Sequence, residues 1–232
     1  MLCGAAAVPA GLGSRWGIWH FRTGFQVVTW AAYGALASAV VSLVGFIGLL
    51  SIGRRQELIL ALVGITVGLA VAWVPWQWKQ TAQRVPPIHD ITTDTENPPA
   101  FVAVLPLRQD APNSAEYGGS DIAAQQRAAY PNLGPLVLNV SPDEAFTRAL
   151  TAAREMGWRI VQANADEGRI EATDTTVWFG FKDDIVVRIR PVEQGSRIDV
   201  RSVSRVGKSD VGTNARRIRA YLQKVKTQSD RS

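Results

Sequence analysis

The sequence holds a single cysteine, Cys3, and two histidines, His20 and His89. One cysteine excludes an intramolecular disulfide and any multi-cysteine metal site. Cys3 also stands too near the start to follow the longer apolar region that a lipoprotein signal needs. Charge is scarce in the first third: of 25 basic and 20 acidic side chains, only Arg15, Arg22, Arg54, Arg55 and Glu57 fall in residues 1–78. The other 40 stand in residues 79–232, about 26% of that stretch, which is the ordinary density of a soluble domain. Two materials joined in this way exclude a single soluble domain, an intrinsically disordered chain and a wholly polytopic transporter. A concentrated basic patch is missing as well. Of the net charge of +5, +3 belongs to residues 1–78 and +2 to the rest. The pI near 9.7 therefore gives no argument for nucleic acid as a partner, which needs a basic patch or stripe.

What residues 23–78 do contain is two long uncharged runs. Residues 23–53 make a run of 31 with an apolar centre at about 25–50, and residues 58–78 make one of 21, apolar over about 58–76. At a rise of 1.5 Å per residue, each reaches across a hydrocarbon core of about 30 Å. Only Arg54, Arg55, Gln56 and Glu57 separate them, so an antiparallel pair of transmembrane helices is expected, the form in which backbone groups are satisfied in lipid. Trp16, Trp19 and Trp30 precede or open the first helix and Trp73, Trp76 and Trp78 close the second. In a hairpin all six lie toward one side, where tryptophan anchors at headgroup level. Small residues recur at four-residue spacing: Ala31/Ala35/Ala39, Gly34/Ser38/Ser42 and Gly64/Gly68/Ala72. Such spacing permits close backbone approach, either within the hairpin or, through Gly64 and Gly68, in a homodimer. Residues 1–22 form a separate N-terminal segment, whose apolar stretch from Met1 to Gly13 is Gly- and Pro-interrupted, too short to span, and reads as a mis-started or shortened extra membrane segment.

Residues 79–135 are rich in proline and read as a tether and wrapping segment, with a short strand at 101–107 and a short helix at about 121–129. Residues 136–228 read as an α+β domain, opening with a further strand at 137–140. Ser141-Pro-Asp-Glu144 is a capping box with proline at the first helical position, and Phe146, Ala149, Leu150, Ala153 and Met156 follow at helical spacing. Strands are expected at 158–164, 169–181, 185–192 and 197–205, with reversals at Asp166-Glu-Gly168, Lys182-Asp-Asp184 and Glu193-Gln-Gly-Ser196. A last helix at about 212–226 carries Ala215, Ile218, Leu222 and Val225 on one face. The expected fold class is α+β: a two-helix transmembrane hairpin, then helix, four-stranded antiparallel meander, helix.

Several segments carry a family resemblance: Val85-Pro-Pro-Ile-His-Asp-Ile-Thr-Thr-Asp-Thr95, Asn97-Pro-Pro-Ala-Phe-Val102, Gly157-Trp158, Gly168-Arg-Ile-Glu-Ala172, Trp178-Phe-Gly-Phe-Lys-Asp-Asp184 and Val200-Arg-Ser-Val-Ser-Arg-Val-Gly-Lys-Ser-Asp210. Over about residues 85–226 the chain resembles the bacterial family called domain of unknown function 1499. The resemblance implies no established activity. It does imply, for membrane-anchored members, an arginine-bearing loop between two helices with the domain on the far side. On that pattern Arg54 and Arg55 are cytoplasmic and the C-terminal domain is periplasmic, at the plasma membrane. Counting Arg15, Arg22, Lys79 and Arg84 against the two loop arginines favours the reverse.

An antiparallel meander brings the end of the first domain helix, the second hairpin reversal and the segment after the last strand to one end of the sheet. That end collects Lys182, Asp183, Asp184, Arg205, Lys208, Ser209, Asp210, Thr213 and Asn214 beside Trp178, Phe179 and Phe181. An anion or lipid-headgroup site there would take charge from Lys182, Arg205 and Lys208 and donors from Ser209, Gly212 and Thr213 at a helix N-terminus. The competing reading is a cap by Asp210 or Thr213 with solvated lysines. Trp178, Phe179 and Phe181 are either a partner surface or aromatics that cover a core. The alternating charges Arg169, Glu171, Arg188, Arg190, Arg197, Asp199 and Arg201 read as a solvated, mutually paired sheet face. His89-Asp90, with Asp94 and Glu96, would suit general-base or metal chemistry, but fits no calcium loop and reads as structural. No catalytic set, metal or cofactor is expected. The chain reads as a non-enzymatic envelope protein, a binding or accessory module partnered by the bilayer and by an envelope protein or anionic lipid. The alternative is a membrane-tethered hydrolase using His89, Asp90 and an acidic hairpin tip.

Overall fold

The computed structural model describes residues 2–229. The chain forms two compact units, Met1–Gln83 with Thr176–Gly180, and Arg84–Thr175 with Phe181–Ser232.

The first unit is helical: α1 (Leu2–Arg15), α2 (Phe21–Leu49) and α3 (Arg55–Arg84). α1 has 14 residues, about 21 Å at the helical rise and too short to span. The His20 imidazole accepts from the Arg22 N–H and caps α2. α2 and α3, of 29 and 30 residues with mean hydropathy 1.9 and 2.4 over their most apolar windows, are long and apolar enough to cross a membrane. Val40, Val41, Val44, Ile47, Ile59 and Leu60 all face outward, unlike the side chains of a helix buried in a soluble core. Thr29, Ser38 and Thr66 donate to the carbonyls of Phe25, Gly34 and Leu62, four residues back, so each hydroxyl is satisfied within its own helix. Gly64 faces Ser42, and Gly68 lies against the Ala35 carbonyl and Ala39. The small-residue stripes thus meet each other inside the hairpin.

The second unit is an antiparallel sheet backed by helices. In chain order it contains β1 (Asp90–Thr92), a 3-10 turn (Leu105–Arg108), α4 (Gly119–Ala129), β2 (Leu136–Leu138), α5 (Pro142–Glu155), β3 (Arg159–Asn164), β4 (Arg169–Thr175), β5 (Lys182–Val192), β6 (Gly195–Ser204) and α6 (Thr213–Ser229). The expected meander is present as β3 to β6, but the sheet has six strands, ordered β1-β6-β5-β4-β3 with β2 also on β6. β1 comes from the segment read as tether, and β2 from the further strand expected at 137–140, which runs Leu136–Leu138. β1 pairs Asp90 to Thr92 with Val203 to Arg201, and β2 pairs Leu136 to Leu138 with Ile198 to Ser196.

Two local expectations are corrected. Residues 101–107 are not a strand: the backbone N–H groups of Val102, Ala103 and Val104 all donate to the Glu171 carboxylate, at 3.0–3.1 Å. Three donors converging on one acid curl the chain into the 3-10 turn. Lys182-Asp-Asp184 is not a tip either. β4 stops at Thr175, the reversal runs through Thr176–Gly180 with Gly180 at φ 70°, and β5 starts at Lys182, so Asp183 and Asp184 are buried strand residues.

Alternation along the strands assigns two faces. Ile170, Ala172, Ile185, Val187, Ile189, Ile198 and Val200 pack on α5 and α6. Ser141 accepts from the Glu144 N–H and starts α5 as its cap, with Pro142 in the first turn. α5 contributes Ala145, Phe146, Ala149, Ala152 and Ala153 to this core, and α6 contributes Ala215, Ile218, Tyr221 and Val225. Trp158 stacks on Tyr221 at 4.8 Å. The other face is not open to solvent. Phe101 and Val104 close over Val186 and Val203, and Glu171, Asp199 and Arg201 beneath the wrapping segment are buried.

Candidate functional site

The charges of that covered face are spent on the segment that covers it. Arg201 grips Asp90 with two hydrogen bonds, at 2.9 and 2.7 Å, and its guanidinium lies over the Phe101 and Tyr117 rings. Burial, then the Asp90 charge, pushes the Tyr117 hydroxyl up to about 12. Arg188, Arg190 and Arg197 converge on Asp94 and Asp199. Burial alone would raise the Asp94 carboxyl, but the N–H groups of Asn97 and Glu96 and the charges of Arg197 and Arg188 hold it below its ordinary value. The expected mutual pairing of this face is present, while its expected solvation is kept at Arg190 and Arg197 and lost at Glu171, Asp199 and Arg201, which lie under a lid of residues 94–117.

The sheet end expected to bind an anion is built from the same kind of pairing. Asp184 receives Arg108 at 2.6 Å, both nitrogens of Arg205 at 2.8 Å and the Thr173 hydroxyl at 2.7 Å. Those hydrogen bonds outweigh burial and keep its carboxyl below the ordinary value. On the helix face Asp183 pairs with Arg217 at 2.6 Å, and Arg217 also reaches Asp174, Ser202 and Asn214. The acids of the hydrolase alternative are therefore ion-paired, and Asp183-Asp184 lies within β5 and is not a hairpin tip. His89 is separated from Asp90 by strand alternation; its backbone carbonyl accepts from Ser204 and Asn214 while Asp90 is held by Arg201. Among the described residues no cluster of three or more His, Cys, Asp or Glu is placed to hold a metal ion.

At the N-terminus of α6 the chain supplies its own anion. The Asp210 carboxylate accepts from Gly212 at 2.8 Å and from Asn214 at 2.6 Å. Burial pushes this carboxyl above its ordinary value against those two donors. Ser209 donates to the Pro86 carbonyl and accepts from Val211, Thr213 accepts from Arg216, and Gly212 takes φ 74°, a conformation suited to glycine. Of the three expected cations, Arg205 is committed to Asp184, while Lys182 and Lys208 are exposed.

The aromatic residues divide. Thr176–Gly180 belongs to the helical unit. There the Trp178 indole donates to the Val8 carbonyl at 3.0 Å and its ring lies 5.2 Å from Trp78. Phe179 is buried, 4.7 Å from Phe25, and Arg15 donates to the carbonyls of Thr176 and Val177. Gly11 and Gly24 leave the room that the Trp178 and Phe179 rings occupy. Phe181 lies in the other unit and is partly buried.

The family model described as Protein of unknown function (DUF1499) matches residues 90–225, from the first residue of β1 into α6 and well over half of the chain. The chain belongs to this family. None of the curated proteins searched matches it. In this DUF1499 chain the matched region takes in β1 and β2, which complete the sheet, and the whole ion-pair network of the covered face. The signal that could have found the lid is the run of acids Asp90 and Asp94 in the tether, facing a strand surplus of Arg188, Arg190, Arg197 and Arg201.

Proposed function

We propose that the chain is a membrane-anchored envelope protein whose α+β domain is a non-enzymatic binding or accessory module on the periplasmic side of the plasma membrane. The observation that carries this reading is the apolar hairpin α2–α3, with lipid-compatible outward side chains and six tryptophans toward its termini. The Arg54-Arg55 loop between the helices fits a cytoplasmic turn in the pattern of anchored family members. The commitment of Asp90, Asp183 and Asp184 to arginines favours a binding module over the hydrolase built on those acids.

Alkaline carbonate extraction of cell membranes, paired with complementation of a deletion strain by His89→Ala, tests both halves. Retention in the membrane and full complementation are expected. Release into the soluble fraction removes the anchor, and loss of complementation by a normally accumulated variant restores the hydrolase.

A further inference from the structure

The 3-10 turn and the chain leading into it leave Val102, Leu105 and Leu107 at 49%, 45% and 43% exposure, with Pro106 also exposed, on a unit whose large aliphatic residues, Val137 and Val192 apart, are largely inside. The turn is rigidly held. Its first N–H groups are fixed by Glu171, and Arg205 donates to the Leu107 carbonyl at 2.6 Å. The same Arg205 accepts its place on the sheet from Lys182, whose carbonyl receives the Arg205 N–H at 2.9 Å. Asn113, five residues past Arg108, donates to the Gly207 carbonyl, which brings the loop of Lys208 to the same border. An aliphatic knob is thus flanked by two exposed lysines, while Asp110 and Glu116 are exposed acids further along the segment.

We propose that this knob and its two lysines form a second membrane contact, in which Leu105, Pro106 and Leu107 enter the interface and Lys182 and Lys208 take anionic headgroups. The inference rests on the membrane anchoring proposed above. Aliphatic side chains beside lysines match a lipid surface with anionic headgroups. Lys182 is two residues from Gly180 of the helical unit. A module tethered that closely meets the bilayer at high effective concentration, so a weak contact suffices.

The test uses the full chain with Cys3→Ser and Leu107→Cys, labelled at residue 107 with an environment-sensitive fluorophore and reconstituted into lipid nanodiscs carrying spin-labelled lipid. Discs of phosphatidylcholine alone are compared with discs containing phosphatidylglycerol, and a label at exposed Val137 serves as the reference. Quenching at residue 107 but not at 137 is expected, stronger with phosphatidylglycerol. Lys182→Glu with Lys208→Glu is expected to weaken that contact about tenfold or more. A chain that enters the discs yet shows no quenching at 107, or quenching indifferent to phosphatidylglycerol, overturns the contact and leaves the anchor intact. Disulfide-linked pairs of unlabelled Leu107→Cys chains assign the knob to a second copy and overturn it too. Failure to enter the discs overturns the anchor itself.

Discussion

Arg108 and Asp184, 76 residues apart in sequence, meet at 2.6 Å with both side chains buried. The pair nails the wrapping segment to β5. Removing one partner of a buried ion pair leaves a charge without compensation, at about 3–5 kcal/mol. Asp184→Ala, which leaves Arg108 and Arg205 without their shared counter-charge, is expected to lose about that much stability, whereas Lys208→Ala, at an exposed position, stays within about 0.5 kcal/mol. Urea unfolding of the full chain in detergent, followed by loss of sheet circular dichroism, distinguishes them.

Two carboxyls give opposite acid dependences. Asp184 is held below its ordinary 3.8, so the stability it contributes is complete above that value and is lost as pH falls through the lowered one. Asp210 is pushed above 3.8, so its contribution is present below 3.8 and is lost as pH rises through the raised value. Unfolding midpoints measured from neutral pH to below 3.8 are expected to show less acid sensitivity in Asp184→Asn, on a lower baseline. Asp210→Asn, which keeps a good cap, is expected to change neutral-pH stability by less than about 1 kcal/mol and to remove the loss on raising pH.

Gly68 meets the Ala35 carbonyl and Ala39 so closely that a Cβ would collide. Gly68→Leu is expected to lower the melting temperature in detergent while leaving the oligomeric state, read by light scattering, unchanged. Conversion of a dimer to a monomer would instead place the glycines on a subunit interface.

Trp178 and Phe179 pin Thr176–Gly180 within the helical unit. Phe179→Asp buries a charge where the ring stood and is expected to expose that loop to protease, with faster cleavage between residues 175 and 181 than in the parent chain. Equal cleavage rates would mean that the loop is held by the Arg15 contacts alone.

The hairpin was legible from two long uncharged runs, and α5, α6 and the central meander because each buries one face with a fixed period, 3.6 along the helices and two along the strands. The loop at Trp178 was not. Its aromatics continue the alternation of β4, and only their packing against Val8, Phe25 and Trp78 takes them out of the sheet. Asp183-Asp184 read as a solvated tip because adjacent acids are costly to bury, and their partners Arg217 and Arg108 lie 34 and 76 residues away. The covered face was hidden for a related reason. Glu171 is satisfied by backbone N–H groups of Val102, Ala103 and Val104, donors that every residue carries and no side-chain pattern announces.

The side of the membrane on which the α+β domain lies decides most. Paired fusions of alkaline phosphatase and green fluorescent protein to the C-terminal end read it directly. An active phosphatase and a dark fluorescent protein are expected for a periplasmic domain. A bright fluorescent protein with an inactive phosphatase would place the domain in the cytoplasm and contradict the envelope role.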